Sequence, residues 1–290
     1  MRVTMRSAGR TYDDALGQAD GRESTWALCG LLGPLRIGVD DLDQSASVAP
    51  KIRTVLAMLC THPDQVVPTS ALIRELWLEQ PPASALRTLQ TYILSIRKLL
   101  SQLAGREPLE IAEDVLVTRA GGYRLQSSGL RLDWLDFMQL ADHGRAKLQA
   151  GDGHAGILLM EEALDLWRGS AFADVPTGPV LESRRLLLEE SRLDTVEALV
   201  DARIEAGLHQ KVIAELASLT SEHPFHEGLH AQYMRALALN GRRARALEVF
   251  GRLRTRLVNE IGIEPGYPLQ QLQLTILNSH TTKYVPLSTD

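Results

Sequence analysis

The chain has 290 residues, about twice the length of a usual single domain, so its length predicts two domains. With 44% hydrophobic and 23% charged residues, its composition excludes collagen-like, coiled-coil and wholly disordered classes. Its two cysteines, Cys29 and Cys60, exclude a disulfide framework and a four-thiolate zinc site and favour a reducing cytoplasm. No apolar run approaches the length of a membrane helix, and the first 24 residues contain no apolar signal-peptide core, so neither a membrane span nor secretion is predicted.

Charge is distributed unevenly along the chain. The formal net charge is −5, which argues against an acidic partner such as DNA, but a total averages over patches of opposite sign. Residues 80–106 contain no acidic residue and carry Arg87, Arg97, Lys98 and Arg106. This stretch could approach phosphates without repulsion, or it could simply be the solvated face of a helix.

The first part of the chain is predicted to hold a disordered arm, a small sheet and a first helix. Residues 1–24 are polar and unpatterned, which favours a disordered arm. From Trp26 onwards short apolar runs alternate with glycine and proline, which is typical of short strands joined by tight turns. A helix then opens at Pro50 and ends at His62, because apolar residues between them recur at helical spacing.

Two further helices follow, and the second of them carries the main functional prediction. Thr69 or Ser70 can cap a helix that continues to the double proline at 81–82, and Ser84 can cap the next one, which continues to about residue 103. On this third helix the residues expected to form a buried stripe are Leu89, Ile93, Ile96 and Leu100. A second face is polar and free of acids, and it consists of Thr88, Thr91, Ser95 and Lys98.

A β-hairpin is predicted over residues 115–125. An alternating apolar strand leads to a turn around residues 120–122, where glycines adopt positive φ easily, and a second strand returns. A sheet, three helices and a terminal hairpin in this order describe a winged helix. The third helix would enter the major groove of DNA, and the hairpin, with Arg119 near its tip, would lie on the adjacent backbone or minor groove.

The remainder of the chain is predicted to be a helical solenoid. Three segments echo one another, each with a glycine between two helical patterns, at Gly151, Gly207 and Gly241. The last two glycines are 34 residues apart, which is the period of tetratricopeptide repeats. The spacing from Gly151 to Gly207 is longer and contains an insertion at 167–176, so the array of roughly three repeats is irregular.

Five sequence blocks occur in one order and together resemble a known family. They are Leu-Leu-Gly-Pro-Leu-Arg at 31–36, Pro-Pro-Ala-Ser leading into Leu-Gln-Thr-Tyr-Ile at 81–93, Leu-Val-Thr-Arg-Ala-Gly-Gly-Tyr-Arg-Leu at 116–125, Ala-Leu-Asp-Leu-Trp-Arg-Gly at 163–169, and Glu-Ile-Gly-Ile-Glu-Pro-Gly at 260–266. Over about residues 25–280 the chain resembles the SARP family, the actinobacterial antibiotic regulatory proteins.

The resemblance implies a mainly α fold with a small β component. An OmpR-like winged helix at 25–127 would follow the arm, and a tetratricopeptide-like bacterial transcriptional activation domain would occupy 131–280. It implies a cytoplasmic, nucleoid-associated activator of a secondary-metabolite (antibiotic) cluster, which forms a homodimer on DNA. Its partners would be direct repeats in promoter DNA and RNA polymerase holoenzyme, through the sigma, beta or alpha subunit. Leu94 departs from the polar residue expected at its position, so we expect it to pack against the hairpin or another subunit.

Four residues of the third helix are candidates for contacts with base edges or nearby phosphates. Arginine can donate two hydrogen bonds to guanine, and threonine offers a methyl group and a hydroxyl group to the major groove. Some of these side chains could instead face water. The four candidates are Arg87, Thr88, Thr91 and Ser95.

Phosphate contacts are predicted for a second group of residues. Tyr92, Arg97 and Lys98 are placed to contact phosphates or to brace the hairpin. Lys51 and Arg53 open the first helix, where free backbone amides favour an anion. They could clamp a phosphate or form a solvated surface pair.

Catalysis and metal binding have little support in the sequence. Phosphate loops, dinucleotide-binding glycine motifs and nucleophile elbows are missing, so no catalytic residue and no cofactor is predicted. His226 and His230 lie one helical turn apart, but no third ligand is specified and we predict no metal site. Trp134, Trp167 and Phe172 are expected in the solenoid core rather than in a ligand cage.

Two alternative functions stay open on the residues alone. Residues 131–280 contain 21 acidic and 16 basic residues, which fits a peptide-binding adaptor whose winged helix is only a protein contact surface. A repressor would use the same DNA contacts as an activator.

Overall fold

The computed structural model describes residues 26–39, 42–44 and 48–278, so the predicted arm at 1–24 lies outside the described residues. The chain divides into two compact units. The first comprises the residues up to Asp133 together with Phe172–Glu182, and the second comprises Trp134–Ala171 and the residues from Ser183 onwards. Residues 172–182 therefore belong to the first unit although they follow it in sequence.

A small sheet opens the first unit, as the sequence predicts. Its strands are β1 (Ala27–Gly30), β2 (Arg36–Val39), β3 (Leu42–Asp43) and β7 (Leu130–Leu132), in the spatial order β3-β2-β1-β7. Strand β1 pairs antiparallel with β2 and parallel with β7. The sequence did not indicate β7, because a strand of three residues shows too little alternation to be recognised.

Three helices form the body of the first unit and lie close to their predicted positions. They are α1 (Pro50–Cys60), α2 (Thr69–Trp77) and α3 (Ala85–Ala104), followed by the short α4 (Pro108–Glu110) and a π-helical turn (Ile111–Val115). The capping predicted for α2 is wrong, since the helix begins after Pro68 and Thr69 is already helical. Ser84 does precede α3, but its side chain makes no capping hydrogen bond.

The predicted hairpin is present and gains a third strand. It consists of β5 (Leu116–Arg119) and β6 (Gly122–Leu125), and β4 (Val66–Pro68) pairs with β6 on the other side. Gly121 in the turn has a φ of +82°, as the turn chemistry predicts. A Cβ atom on Gly122 would lie 2.2 Å from the carbonyl oxygen of Val67, so only glycine allows β4 to approach β6 this closely.

Carboxylates hold residues 172–182 to the rest of the first unit. The Asp174 carboxylate accepts the backbone N–H of Leu35 at 2.6 Å and forms an ion pair with Arg53. The backbone N–H of Phe172 donates to the Leu31 carbonyl oxygen at 3.0 Å. Phe172 is buried in the first unit, so its predicted place in the solenoid core is wrong.

Seven helices make up most of the second unit. They are α5 (Asp133–Gln149), α6 (Gly153–Asp165), α7 (Pro179–Glu205), α8 (Val212–Glu222), α9 (Glu227–Leu239), α10 (Arg243–Arg256) and, after a π-helical turn (Leu257–Ile261), α11 (Tyr267–Asn278). Within the described residues, no helix is both long enough and apolar enough to cross a bilayer.

The predicted glycine turns separate these helices in pairs. Gly151, Gly207 and Gly241 have φ values of +82°, +77° and +72°, and they lie between α5 and α6, α7 and α8, and α9 and α10. A left-handed glycine ends the first helix of each pair and reverses the chain. Trp134 and Trp167 are buried in this unit, as predicted, with Trp167 packed edge-to-face on Phe137 at 5.4 Å between ring centroids.

Candidate nucleic-acid interface

Helix α3 packs by the apolar stripe that its sequence predicts. Leu89, Ile93, Ile96 and Leu100 are all buried, and Ala85 and Leu99 join them. The helix is 20 residues long and contains no acidic residue, so its remaining surface carries no negative charge. Burial of one side fixes which residues face away from the protein.

The exposed side of α3 differs from the polar face that the sequence predicted. Thr88 and Ser95 are half-buried at its edge, whereas Thr91 and Lys98 are exposed as expected. The residues opposite the buried stripe, which we call the outward face, are Arg87, Gln90, Thr91, Leu94 and Lys98.

Gln90 and Leu94 were missed as members of the outward face. Leu94 lies seven residues after Arg87 and four before Lys98, so the helical period places all three on one side. The position of both residues opposite the buried stripe could have identified them. The predicted face was chosen from short polar and basic residues, so it left out Leu94 and Gln90. Leu94 is 62% exposed, so the prediction that it packs against the hairpin is wrong within the described chain.

The two hydroxyl groups on this helix already donate to its own backbone. Thr91 Oγ1 donates to the Arg87 carbonyl oxygen at 3.1 Å, and Ser95 Oγ donates to the Thr91 carbonyl oxygen at 3.0 Å. Each hydroxyl oxygen therefore presents lone pairs outwards and can accept from an adenine or cytosine amino group. The Thr91 methyl group remains available for an apolar contact.

Two cations of the outward face are free to bind an anion. Arg87 and Lys98 are exposed, and neither forms an ion pair with any residue that the structure describes. Arg106, at the end of the acid-free stretch, is instead held by Asp114 at 2.6 Å. Within the acid-free stretch at 80–106, the two exposed cations without an ion pair among the described residues thus lie on the outward face.

Arg97 braces the hairpin, which is one of the two roles predicted for it. Its guanidinium donates from Nε and Nη2 to the Leu116 carbonyl oxygen at 3.0 and 2.7 Å, and Nη2 also lies 2.9 Å from Thr118 Oγ1. Burial lowers the pKa of Arg97, an effect partly offset by Tyr123, but arginine stays protonated at neutral pH. The alternative phosphate role is not supported by this geometry.

The predicted phosphate clamp at the start of α1 needs correction. Arg53 forms an ion pair with Asp174 and donates to the Val48 carbonyl oxygen at 2.8 Å, so its charge is already neutralised. Lys51 is exposed, with its ammonium 4.9 Å from the ring centroid of Trp77. Only Lys51 of this pair remains a candidate for a phosphate contact.

The hairpin contributes one further candidate. Arg119 is the last residue of β5, lies opposite Gly122 across the turn and is exposed. Arg119 is therefore the hairpin cation best placed to meet a phosphate.

Tyr92, the remaining phosphate candidate on α3, is half-buried beside the apolar stripe, so only part of its side chain is accessible.

The two histidines with ligand-like spacing have structural roles in the second unit. His226 Nδ1 accepts the backbone N–H of Leu229 at 3.3 Å and lies 3.4 Å from Glu197 Oε1. His230 is buried, with Nδ1 3.0 Å from the His226 carbonyl oxygen. His226 thus caps the start of α9.

Both parts of the chain match families of transcriptional regulators. Residues 43–125 match the family described as "Transcriptional regulatory protein, C terminal". Residues 132–277 match the family described as "Bacterial transcriptional activator domain". The second match includes residues 172–182, which the structure assigns to the first unit.

Two Streptomyces regulatory proteins are similar to this chain over most of its length. The chain is 42% identical over 249 residues to the regulatory protein DnrI of Streptomyces peucetius, covering 86% of this chain and 91% of DnrI. It is 31% identical over 291 residues to the transcriptional regulator RedD of Streptomyces coelicolor, covering 98% and 81%.

A solved structure shares the fold. The structure of Mycobacterium tuberculosis EmbR in complex with a low affinity phosphopeptide has a TM-score of 0.80 and 34% sequence identity, over 87% of this chain and 65% of that one. With both regions matched in order, this chain belongs to the SARP family of DNA-binding transcriptional activators.

Proposed function

We propose that this chain activates a secondary-metabolite (antibiotic) gene cluster by binding direct repeats near a promoter and recruiting RNA polymerase holoenzyme. The observation that carries the proposal is the outward face of α3, which is free of acids and exposes Arg87 and Lys98 without an ion-pair partner in the described chain. Such a face suits a polyanion whose grooves carry hydrogen-bonding groups.

In this proposal α3 enters the major groove and the hairpin lies beside it. Arg87 donates two hydrogen bonds to guanine O6 and N7, and Gln90 can pair in the same way with adenine N6 and N7. Lys98 lies eleven residues further along, about 16 Å at the helical rise, where it meets a phosphate. Lys51 and Arg119 add further phosphate contacts.

Two copies are proposed to bind one promoter. Direct repeats spaced by one helical turn, about 34 Å, place two winged helices on the same face of the duplex. The copies then meet head to tail, since a direct repeat has no two-fold axis. The resulting dimer on DNA would present both helical units to the sigma, beta or alpha subunit of the polymerase, in the cytoplasm where the nucleoid lies.

The experiment uses the full chain and a library of random-sequence duplexes. We expect selection to enrich a direct repeat, and gel shift to show two bound copies. Transcription in vitro with Streptomyces RNA polymerase holoenzyme should then rise on a promoter that carries the repeat. Arg87→Ala should reduce the rise, whereas Arg245→Ala, at an exposed arginine of α10, should not change it.

Three results would contradict the proposal in different ways. A protein that enriches no sequence would be an adaptor rather than a DNA reader. One that binds the repeat but lowers the transcript yield would be a repressor. Enrichment of an inverted repeat would exclude the head-to-tail arrangement while leaving DNA recognition by α3 intact.

A further inference from the structure

Leu94 is the one large apolar side chain at the centre of the outward face of α3. It is 62% exposed, whereas the leucines and isoleucines of the buried stripe are at most 8% exposed. Leu86 is also exposed, at 52%, but it belongs to the first turn and lies to the side of the outward face. Most of the Leu94 side chain therefore lies outside the core, and its apolar surface needs a different explanation.

The neighbours of Leu94 identify what covers it. Thr91 precedes it by three residues and Lys98 follows it by four, so it lies between a hydroxyl group and an unpaired cation. A protein partner with an apolar patch would have to leave these polar groups without partners or supply acidic ones. A DNA duplex offers phosphates to the cation and base edges to the hydroxyl group.

We propose that Leu94 reads the 5-methyl group of a thymine in the major groove, and so sets base preference at one position of each repeat. The thymine methyl is the apolar group that base pairs present in that groove. Against any other base, the leucine would remove water from an N–H or carbonyl group without offering it a hydrogen bond. Binding to a site with another base at this position is therefore disfavoured. The assignment rests on the proposed DNA binding by α3.

The position of Leu94 on the helix places this thymine relative to the base read by Arg87. Seven residues correspond to about 10 Å of helical rise, which is about three base-pair steps of 3.4 Å. The thymine is thus expected within about three base pairs of the guanine contacted by Arg87. Arg97 holds the hairpin to the flank of the helix, and Leu94 remains uncovered by it.

The test removes single methyl groups from the DNA. In the duplex that the 290-residue chain selects, each thymine in turn is replaced by deoxyuridine, which lacks only the 5-methyl group. Affinity is measured for the wild type, for Leu94→Ala and for Leu158→Ala, a matched change at an exposed leucine of α6. Thermal unfolding of each variant checks that it folds.

At one thymine in each repeat, deoxyuridine should weaken binding by the wild type and by Leu158→Ala about fourfold, the loss expected for one buried methyl group. The same replacement should leave Leu94→Ala unaffected. A 5-methylcytosine at that position should bind the wild type more tightly than cytosine does.

The outcomes separate this assignment from the proposed function. If wild type and Leu94→Ala respond alike at every thymine, Leu94 does not read a methyl group and the assignment is overturned. If Leu94→Ala keeps the full response but loses cooperative binding of two copies, Leu94 contacts a second subunit instead. If the wild type selects no sequence at all, the proposed function itself fails, and the assignment with it.

Discussion

Arg97 on α3 binds the backbone carbonyl oxygen of Leu116 at the start of β5 with two N–H groups, at 3.0 and 2.7 Å. This contact ties α3 to the first strand of the hairpin, 19 residues further along the chain. It fixes the position of the two proposed DNA-contacting parts relative to each other, because a guanidinium that donates two N–H groups fixes direction as well as distance.

Arg97→Lys should loosen the hairpin without changing base preference. A lysine keeps the charge but cannot donate two parallel hydrogen bonds to one oxygen. We expect a loss of about 1–2 kcal/mol in unfolding free energy and a uniform loss of affinity across sequences. Denaturant unfolding and gel shifts on several duplexes check this, and Arg245→Lys, at an exposed arginine of α10, serves as the control. A change in the preferred sequence would contradict the bracing role.

Lys98→Ala should change the salt dependence of DNA binding. If Lys98 neutralises one phosphate, its removal lowers the slope of log K against log salt by about 0.9 for every sequence. Titrations at several salt concentrations on the selected and on random DNA measure this slope. An unchanged slope on both duplexes would mean that Lys98 contacts no phosphate.

Arg87→Ala should reduce specificity rather than salt dependence alone. Loss of a bidentate contact to guanine is expected to cost about 1–3 kcal/mol of binding free energy and to relax preference at one base pair. Competition with duplexes altered at each position identifies that base pair. If Arg87→Ala lost the same affinity on every duplex, Arg87 would contact the DNA backbone instead of a base.

Gly122→Ala should destabilise the first unit. The new methyl group would lie 2.2 Å from the Val67 carbonyl oxygen, and backbone cannot yield as a side chain can. We expect a loss of about 1–3 kcal/mol in unfolding free energy, as for other overpacked sites. Gly251→Ala in α10 is the control, because open space surrounds that position and alanine favours helix. If Gly122→Ala left the unfolding free energy unchanged, β4 would be free to move away from β6.

Glu75→Gln should weaken the attachment of residues 172–182. The Glu75 carboxylate is 4% exposed and accepts the backbone N–H groups of Gly178, Val180 and Leu181 at 2.7, 2.9 and 3.0 Å. An amide in its place sets an N–H group against these donors, which should cost about 1–3 kcal/mol.

Hydrogen exchange locates the effect of Glu75→Gln. Faster exchange is expected at Gly178 and in the first turn of α7, where the three accepted N–H groups lie, whereas Glu79→Gln, at an exposed glutamate nearby, should leave it unchanged. A fragment that ends at residue 133 lacks this segment and should unfold more easily than the first unit does in the full chain. If Glu75→Gln and Glu79→Gln protected these N–H groups equally from hydrogen exchange, residues 172–182 would be held by other contacts.

The sequence determined the helical period, the glycine turns and the chemistry of α3. Leu89, Ile93, Ile96 and Leu100 are spaced so that only a helix buries them together, which is why α3 could be predicted from local pattern. The same holds for Gly207 and Gly241, since left-handed backbone between two helices favours glycine.

Only the tertiary structure decided which of the charged residues remain available for DNA. Arg53 and Arg97 look equivalent to Lys51 and Lys98 in the sequence, but the first pair is engaged by Asp174 and by Leu116. These partners lie 121 and 19 residues away along the chain. Local periodicity carries no information about such distant contacts, because they arise when separately formed elements pack together.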